Sequence, residues 1–169
     1  MTEADPFQAA INIARASKSP MERAAAALDA DRYNIFCATY ASMRVIDDYV
    51  DDDFLAQDAD AREAARPEAL GVTQAWRAGA VAALADGVAP APTAQFVETT
   101  TALAATHRIA ALDPTPWNRL AVAMARDNNE APVPDWPDFL AYAEGATAAP
   151  AAVFVETLAL RKMGDGRLW

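Results

Sequence analysis

The chain has 169 residues, 53% of them apolar, which is enough for one domain with a real core. Its formal net charge is −10 and its only lysines are Lys18 and Lys162. That argues against nucleic-acid binding, where affinity comes from neutralising phosphates with basic patches. Cys37 is the single cysteine, so no intramolecular disulfide can form.

Alanine is abundant, glycine is scarce, and runs of Val, Ile and Thr are nearly absent. Alanine is the best helix former, so the composition predicts an all-α protein. The start "MTEADPF" is acidic and lacks the basic and apolar regions of a signal peptide. No run approaches the roughly 18 apolar residues of a transmembrane helix. A cytoplasmic protein is expected, with peripheral membrane contact left open.

In chain order, Phe7, Ala10, Ile11 and Ala14 give one apolar stripe and predict a helix over 7–16. "SPME" predicts a helix start, with Ser19 as N-cap, Pro20 at the first position and Glu22 completing a capping box. That helix is expected to end near Asp29, and the next to run over 30–52. Further helices are expected over 58–64, before Pro67, and over 67–85, carrying Leu70, Trp76 and Leu84. "DGVAPAPT" is a proline-rich break. Helices over 93–111 and 116–127 follow, then the loop "NNEAPVPDWP", which is short enough to join helices within one domain. A last helix is expected over 137–163, bent or broken at Gly145 or Pro150. The ending "GDGRLW" reads as loop. His107 has no partners that assemble a Ser-His-Asp or Cys-His arrangement, and Trp117, Trp136 and Trp169 read as packing or interface residues.

The informative stretch is "YASMRVIDDYVDDDF", which places five aspartates within seven residues at a helix C-terminus. That is the wrong end of a helix dipole for negative charge. Either the turn is solvated, or a cation belongs there. Tyr33, Phe36, Cys37 and Tyr40 share one stripe, and Arg44, Asp47 and Asp51 lie at roughly +40°, −20° and +20° from Tyr40 on the same line. The stripe is therefore expected to carry one cation and two carboxylates along an inward face, with Asp48 and Asp52 beside them. Carboxylates at i and i+4 repel, and a hard divalent cation such as Mg²⁺ relieves this while leaving positions for phosphate oxygens. Arg44 can hold a phosphate by its planar fork.

"ATYASMRVIDDYVDDD" (38–53) resembles the first aspartate-rich region of the squalene/phytoene synthase family. Ala38, Tyr40, Ala41, Arg44, Val45, Asp47, Asp48, Val50, Asp51 and Asp52 match position by position. The family's D-x-x-x-D metal motif falls on Asp47 and Asp51, and its phosphate-contacting arginine on Arg44. Ser19 fits a serine of the N-terminal region, although Pro20 and Met21 replace aromatics. Met124, Asp127, Tyr142 and Gly145 fit a later stretch, although Ala123 replaces a glycine and Glu144 a tyrosine. "DDYVD" also spells the D-D-x-x-D of head-to-tail prenyl synthases; the preceding "YASMR" favours the head-to-head group, and no arginine-rich run follows.

The resemblance implies a helical isoprenoid-synthase-type bundle that condenses two prenyl diphosphates head to head. It implies Mg²⁺ at Asp47, Asp51 and Asp48, with NADPH needed only for a squalene-type product. Ser19, Tyr40, Arg44, Asp127 and Tyr142 are the implied substrate contacts. Phe36, Tyr40, Phe139, Tyr142 and Phe154 are candidates to line an apolar cavity. The matched region corresponds to about the N-terminal half of a typical member, and no second D-x-x-x-D lies in a comparable helix later in the chain. The bundle is therefore expected to be incomplete at its C-terminal end. The alternative is a non-catalytic module that binds a lipid diphosphate, or one completed by a second copy or a partner chain.

Overall fold

The computed structural model describes residues 5–162 and 166–168. Its elements are α1 (Gln8–Ala16), α2 (Pro20–Ala25), α3 (Ala30–Asp48), α4 (Ala59–Asp86), α5 (Val97–Thr106), α6 (Thr115–Asn128), α7 (Trp136–Ala143) and α8 (Ala149–Ala159). Two π-helical turns, Tyr49–Phe54 and Glu144–Ala148, extend α3 and join α7 to α8. Among the described residues there is no strand; Leu168 makes isolated bridges to Ala110 and Lys162. The all-α expectation holds. No helix among the described residues is long and apolar enough to cross a membrane.

α3 is the central element. Its buried side chains include Ile35, Phe36, Ala38, Ser42 and Ile46, and α1, α5 and α8 pack around it. Asp29 caps its start, accepting the Arg32 amide at 3.1 Å. Two tryptophans fasten its middle: Trp76 of α4 donates to the Ser42 carbonyl at 2.8 Å, and Trp117 of α6 donates to Ser42 Oγ at 3.1 Å. Both indoles thus bury large apolar faces while satisfying their N–H groups. The base of α3 is tied to the end of α8 by Arg32 Nε, which donates to the Leu160 carbonyl at 3.0 Å.

The structure departs from the expected boundaries in four places. Residues 59–86 form one helix through Pro67, not two. Pro67 and Glu63 are both exposed, so the carbonyl that the proline strands faces water, while Ala69, Thr73 and Trp76 keep the helix packed. α5 begins at Val97 because Phe96 adopts a left-handed φ of 57° before it, its ring edge-on to Tyr49 at 6.3 Å. α5 ends at Thr106, and His107 Nδ1 lies 2.8 Å from the Leu84 carbonyl, a packing role. The capping box at "SPME" is only half made. Ser19 Oγ accepts the Met21 amide at 3.2 Å, but Glu22 accepts the Tyr33 hydroxyl at 2.9 Å.

The expected C-terminal helix is α7, a π-turn that contains Gly145, and α8 with Pro150 in its first turn. A Cβ at Gly145 would sit 2.6 Å from the Arg119 carbonyl, so only glycine lets the turn approach α6 this closely. α8 stops at Ala159, and the expected end at Met163, like Trp169, lies outside the described residues. Leu168 is buried beside α5, its amide donating to the Ile109 carbonyl at 2.8 Å.

Candidate active site

The acidic run folds where α3 gives way to its π-turn. The turn is closed by the Leu55 amide donating to the Val50 carbonyl at 2.8 Å. Val50 and Phe54 anchor it in the protein interior and leave Asp51, Asp52 and Asp53 exposed. The stripe Tyr40–Arg44–Asp47–Asp51 does share a face, but it is not the inward one. Ile46, Val50 and Phe54 take the core, while Arg44 and Asp51 are exposed and Tyr40 and Asp47 half-buried. The stripe runs along the wall of an open cleft, because α5 and α6 cover the neighbouring face of α3.

That cleft holds a cavity of about 280 Å³. Phe36, Met43, Leu120 and Phe154 form its apolar wall; Tyr40, Arg44 and Asp47 stand at its polar end. Phe36 stacks on Tyr40 with centroids 5.4 Å apart, and Phe154 meets Phe36 edge-on at 5.5 Å. Of the five aromatic candidates, Phe36, Tyr40 and Phe154 line the cavity. Phe139 and Tyr142 do not: Phe139 is exposed on α7, and the Tyr142 hydroxyl is turned to Asp127. Helical phase missed Met43 and Leu120, whose apolar side chains carry no signal distinguishing a cavity wall from ordinary core.

Arg44 spans its neighbours, with Nη1 3.3 Å from Asp47 Oδ2 and Nη2 paired to Asp48. Its burial alone would favour the neutral form, but Asp48 and Asp47 outweigh this and raise its pKa. Asp48 thus pairs with Arg44. Burial pushes the Asp47 carboxyl above its ordinary range and Asp51 adds to it, with Arg44 opposing.

The facing side of this acidic wall comes from α6 and α7. Asp127 lies in the last turn of α6, again the unfavourable end of a helix for a carboxylate. Burial raises its pKa; the Tyr142 hydroxyl, donating to Oδ2 at 3.0 Å, works against that, and the charges of Asp51 and Asp47 raise it further. Tyr142 is itself pushed up to about 12, by burial first and then by Asp127. Asp47, Asp51, Asp127 and Tyr142 therefore share one electrostatic environment across three elements. Ser19 stands apart as the cap of α2; Met21, two residues on, reaches the cavity.

The donor set suits a hard cation: carboxylate oxygens only, with carboxyls that push one another upward in pKa and so want a neutralising charge. Among the described residues no three acidic, histidine or cysteine side chains stand close enough to enclose one ion by themselves. Mg²⁺ does not require that, since it binds through one or two carboxylates together with water and phosphate oxygens.

The squalene/phytoene synthase family model matches residues 14–162. The chain belongs to the squalene/phytoene synthase family. The match runs from α1 to beyond α8 and so takes in every residue of the acidic cleft. Members of this family are prenyl transferases that join two prenyl diphosphates head to head. Comparisons with curated proteins and with solved structures find no match.

Proposed function

We propose that this chain is a Mg²⁺-dependent prenyl transferase acting head to head on two prenyl diphosphates. The observation that carries the reading is Arg44 and Asp47 at the polar end of an aromatic cavity, with the hydrogen-bonded Asp127–Tyr142 pair on α6 and α7 close enough to feel the charges of Asp47 and Asp51. Asp47 and Asp51 would hold the metal, with Asp48 within reach if Arg44 releases it. Bound Mg²⁺ supplies charge that stabilises the departing diphosphate.

The remaining work falls to the chain's own side chains. Arg44 turns its fork from Asp47 and Asp48 to the diphosphate oxygens. Phe36, Tyr40 and Phe154 hold the prenyl tail, exclude water and offer ring faces to an allylic cation. Tyr142 keeps Asp127 oriented near Asp47 and Asp51. NADPH would enter only if the product is reduced to a squalene-type hydrocarbon. Incubation with farnesyl or geranylgeranyl diphosphate and Mg²⁺ should yield a cyclopropylcarbinyl diphosphate of twice the carbon number. Only hydrolysed alcohol, or unchanged substrate, would reject the reading.

A second reading has one specific observation in its favour: beyond the acidic run at 47–53, the sequence given holds no further D-x-x-x-D. On that reading the chain binds a lipid diphosphate without turning it over, or is completed by a second copy or another chain. Binding of a non-hydrolysable prenyl diphosphate analogue, with no product from the natural one, would favour it.

A further inference from the structure

α6 ends on a backbone conformation that a glutamate rarely adopts. The Glu130 amide donates to the Asp127 carbonyl at 2.8 Å and the Ala131 amide to the Arg126 carbonyl at 3.0 Å, the paired bonds of a Schellman cap. Glu130 holds the left-handed position of that cap, with φ at 49°. Glycine is the usual residue there, because a Cβ strains this conformation. Such strain persists where neighbouring contacts hold the residue in place. Glu130 has those contacts. Its Oε1 accepts from Arg62 Nε at 3.0 Å and its Oε2 from Arg66 Nη2 at 2.9 Å, two arginines one turn apart on α4. Each arginine also grips a backbone segment of the cleft. Arg62 Nη1 donates to the Gln57 carbonyl at 2.6 Å, just past the turn that carries Asp51. Arg66 Nη1 donates to the Asn128 carbonyl at 2.5 Å, next to Asp127, while its Nη2 also meets Glu63 at 3.0 Å. The buried Asn128 side chain adds a peg, its Nδ2 donating to Thr73 Oγ1 of α4 at 2.8 Å.

We infer that Glu130 is a positioning residue for the acidic cleft: by joining Arg62 to Arg66 it fixes the spacing between Asp51 and Asp127. One carboxylate thereby couples the segment after the π-turn to the end of α6, with the start of α4 as their common frame. Glu130 is exposed, and exposed ion pairs contribute little to global stability. Their effect here is on geometry. An error of about 1 Å in the placement of reacting groups is enough to lower a rate steeply. The catalytic consequence rests on the proposed transferase reaction; the spacing itself does not.

The test compares the wild type with Glu130→Gly and Glu130→Gln. The first variant deletes the carboxylate and relaxes the left-handed turn; the second keeps the shape and one acceptor oxygen. One readout is the change that Asp51→Asn produces in the titration of the Asp127 carboxyl, followed by carbon-13 NMR without metal. Asp51 raises the pKa of that carboxyl, so its replacement should lower it in the wild-type background. The response should fall by about half in Glu130→Gly and by less in Glu130→Gln. The other readout is Mg²⁺-dependent diphosphate release from farnesyl diphosphate. Glu130→Gly should lower kcat by roughly tenfold, with KM and the melting temperature little changed. No response in the wild-type background, a full response in Glu130→Gly, or a lower melting temperature with response and kcat intact would overturn the inference. Absence of release from every protein would reject the proposed reaction alone, because the Asp127 response needs no turnover and still decides the role of Glu130.

Discussion

The Tyr142 hydroxyl donates to Asp127 Oδ2 at 3.0 Å, and this bond, with the Arg126–Asp138 ion pair at 3.9 Å, links α7 to α6 near Asp47 and Asp51. It is the one neutral donor that opposes the upward push on Asp127 from burial and from the two aspartates of α3. Tyr142→Phe removes it without changing shape. Urea unfolding should show a loss of about 1 kcal/mol, the typical worth of such a bond. An unchanged midpoint would mean that α7 is held in place by other means.

The carboxyls of Asp47 and Asp127 are both raised above their ordinary value of 3.8. A carboxyl raised in the folded state favours folding while protonated. That contribution is complete below the unfolded value and is lost as pH rises through the folded one. Asp113, held low by the Thr115 amide, and Glu130, held low by Arg66 and Arg62, act in the opposite sense as pH falls. Comparison of wild type with Asp127→Asn isolates one group, since asparagine still accepts from Tyr142. Without divalent cations, the variant should melt higher at pH 7, and the gap should close towards pH 4. A gap that widens on acidification would show that Asp127 is stabilising as a charge.

Arg44 is paired to Asp47 and Asp48 and is the cation at the polar end of the cavity. Arg44→Lys keeps the charge but loses the planar fork. Calorimetric titration of diphosphate in the presence of Mg²⁺ should show at least tenfold weaker binding. Equal affinity would confine Arg44 to neutralising its two neighbours.

Gly145 and Phe154 test the back of the cavity. A Cβ at Gly145 collides with the Arg119 carbonyl, so Gly145→Ala should cost about 1–3 kcal/mol. Phe154→Ala removes the ring that meets Phe36 edge-on and deepens the pocket. It should shift preference towards a longer prenyl chain, read as the ratio of kcat/KM for the longer to the shorter diphosphate. A ratio that does not move would place the tail elsewhere.

The cleft's own residues were largely legible in the sequence, but their setting was not. Helical phase put Tyr40, Arg44, Asp47 and Asp51 on one line, because 100° per residue is a property of the helix itself. It read that line as core-facing, because which face is covered depends on α5, α6 and α8. The π-turn at 49–54 leaves no local pattern, since its hydrogen bonds are set by how Val50 and Phe54 find the core. Asp127 and Tyr142 came only from resemblance to a family; fifteen positions apart, across a loop, they share no helical period. Pro67 looked like a helix break because local propensity ignores the packing of Ala69, Thr73 and Trp76 that carries the helix through it. Phe139 looked like cavity lining because an apolar stripe ordinarily points inward, and α7 reverses that rule.

The central claim is that the acidic cleft breaks the bond between a prenyl group and its diphosphate. The most direct measurement is release of inorganic diphosphate from prenyl diphosphates of ten to twenty carbons, with Mg²⁺, by the wild type and by Asp51→Asn. Asp51 is exposed, so its replacement should leave the fold intact. The account predicts Mg²⁺-dependent release from the wild type and at least a hundredfold loss, about 2.7 kcal/mol of barrier, in the variant. No release from any chain length, or equal release from both proteins, would contradict it.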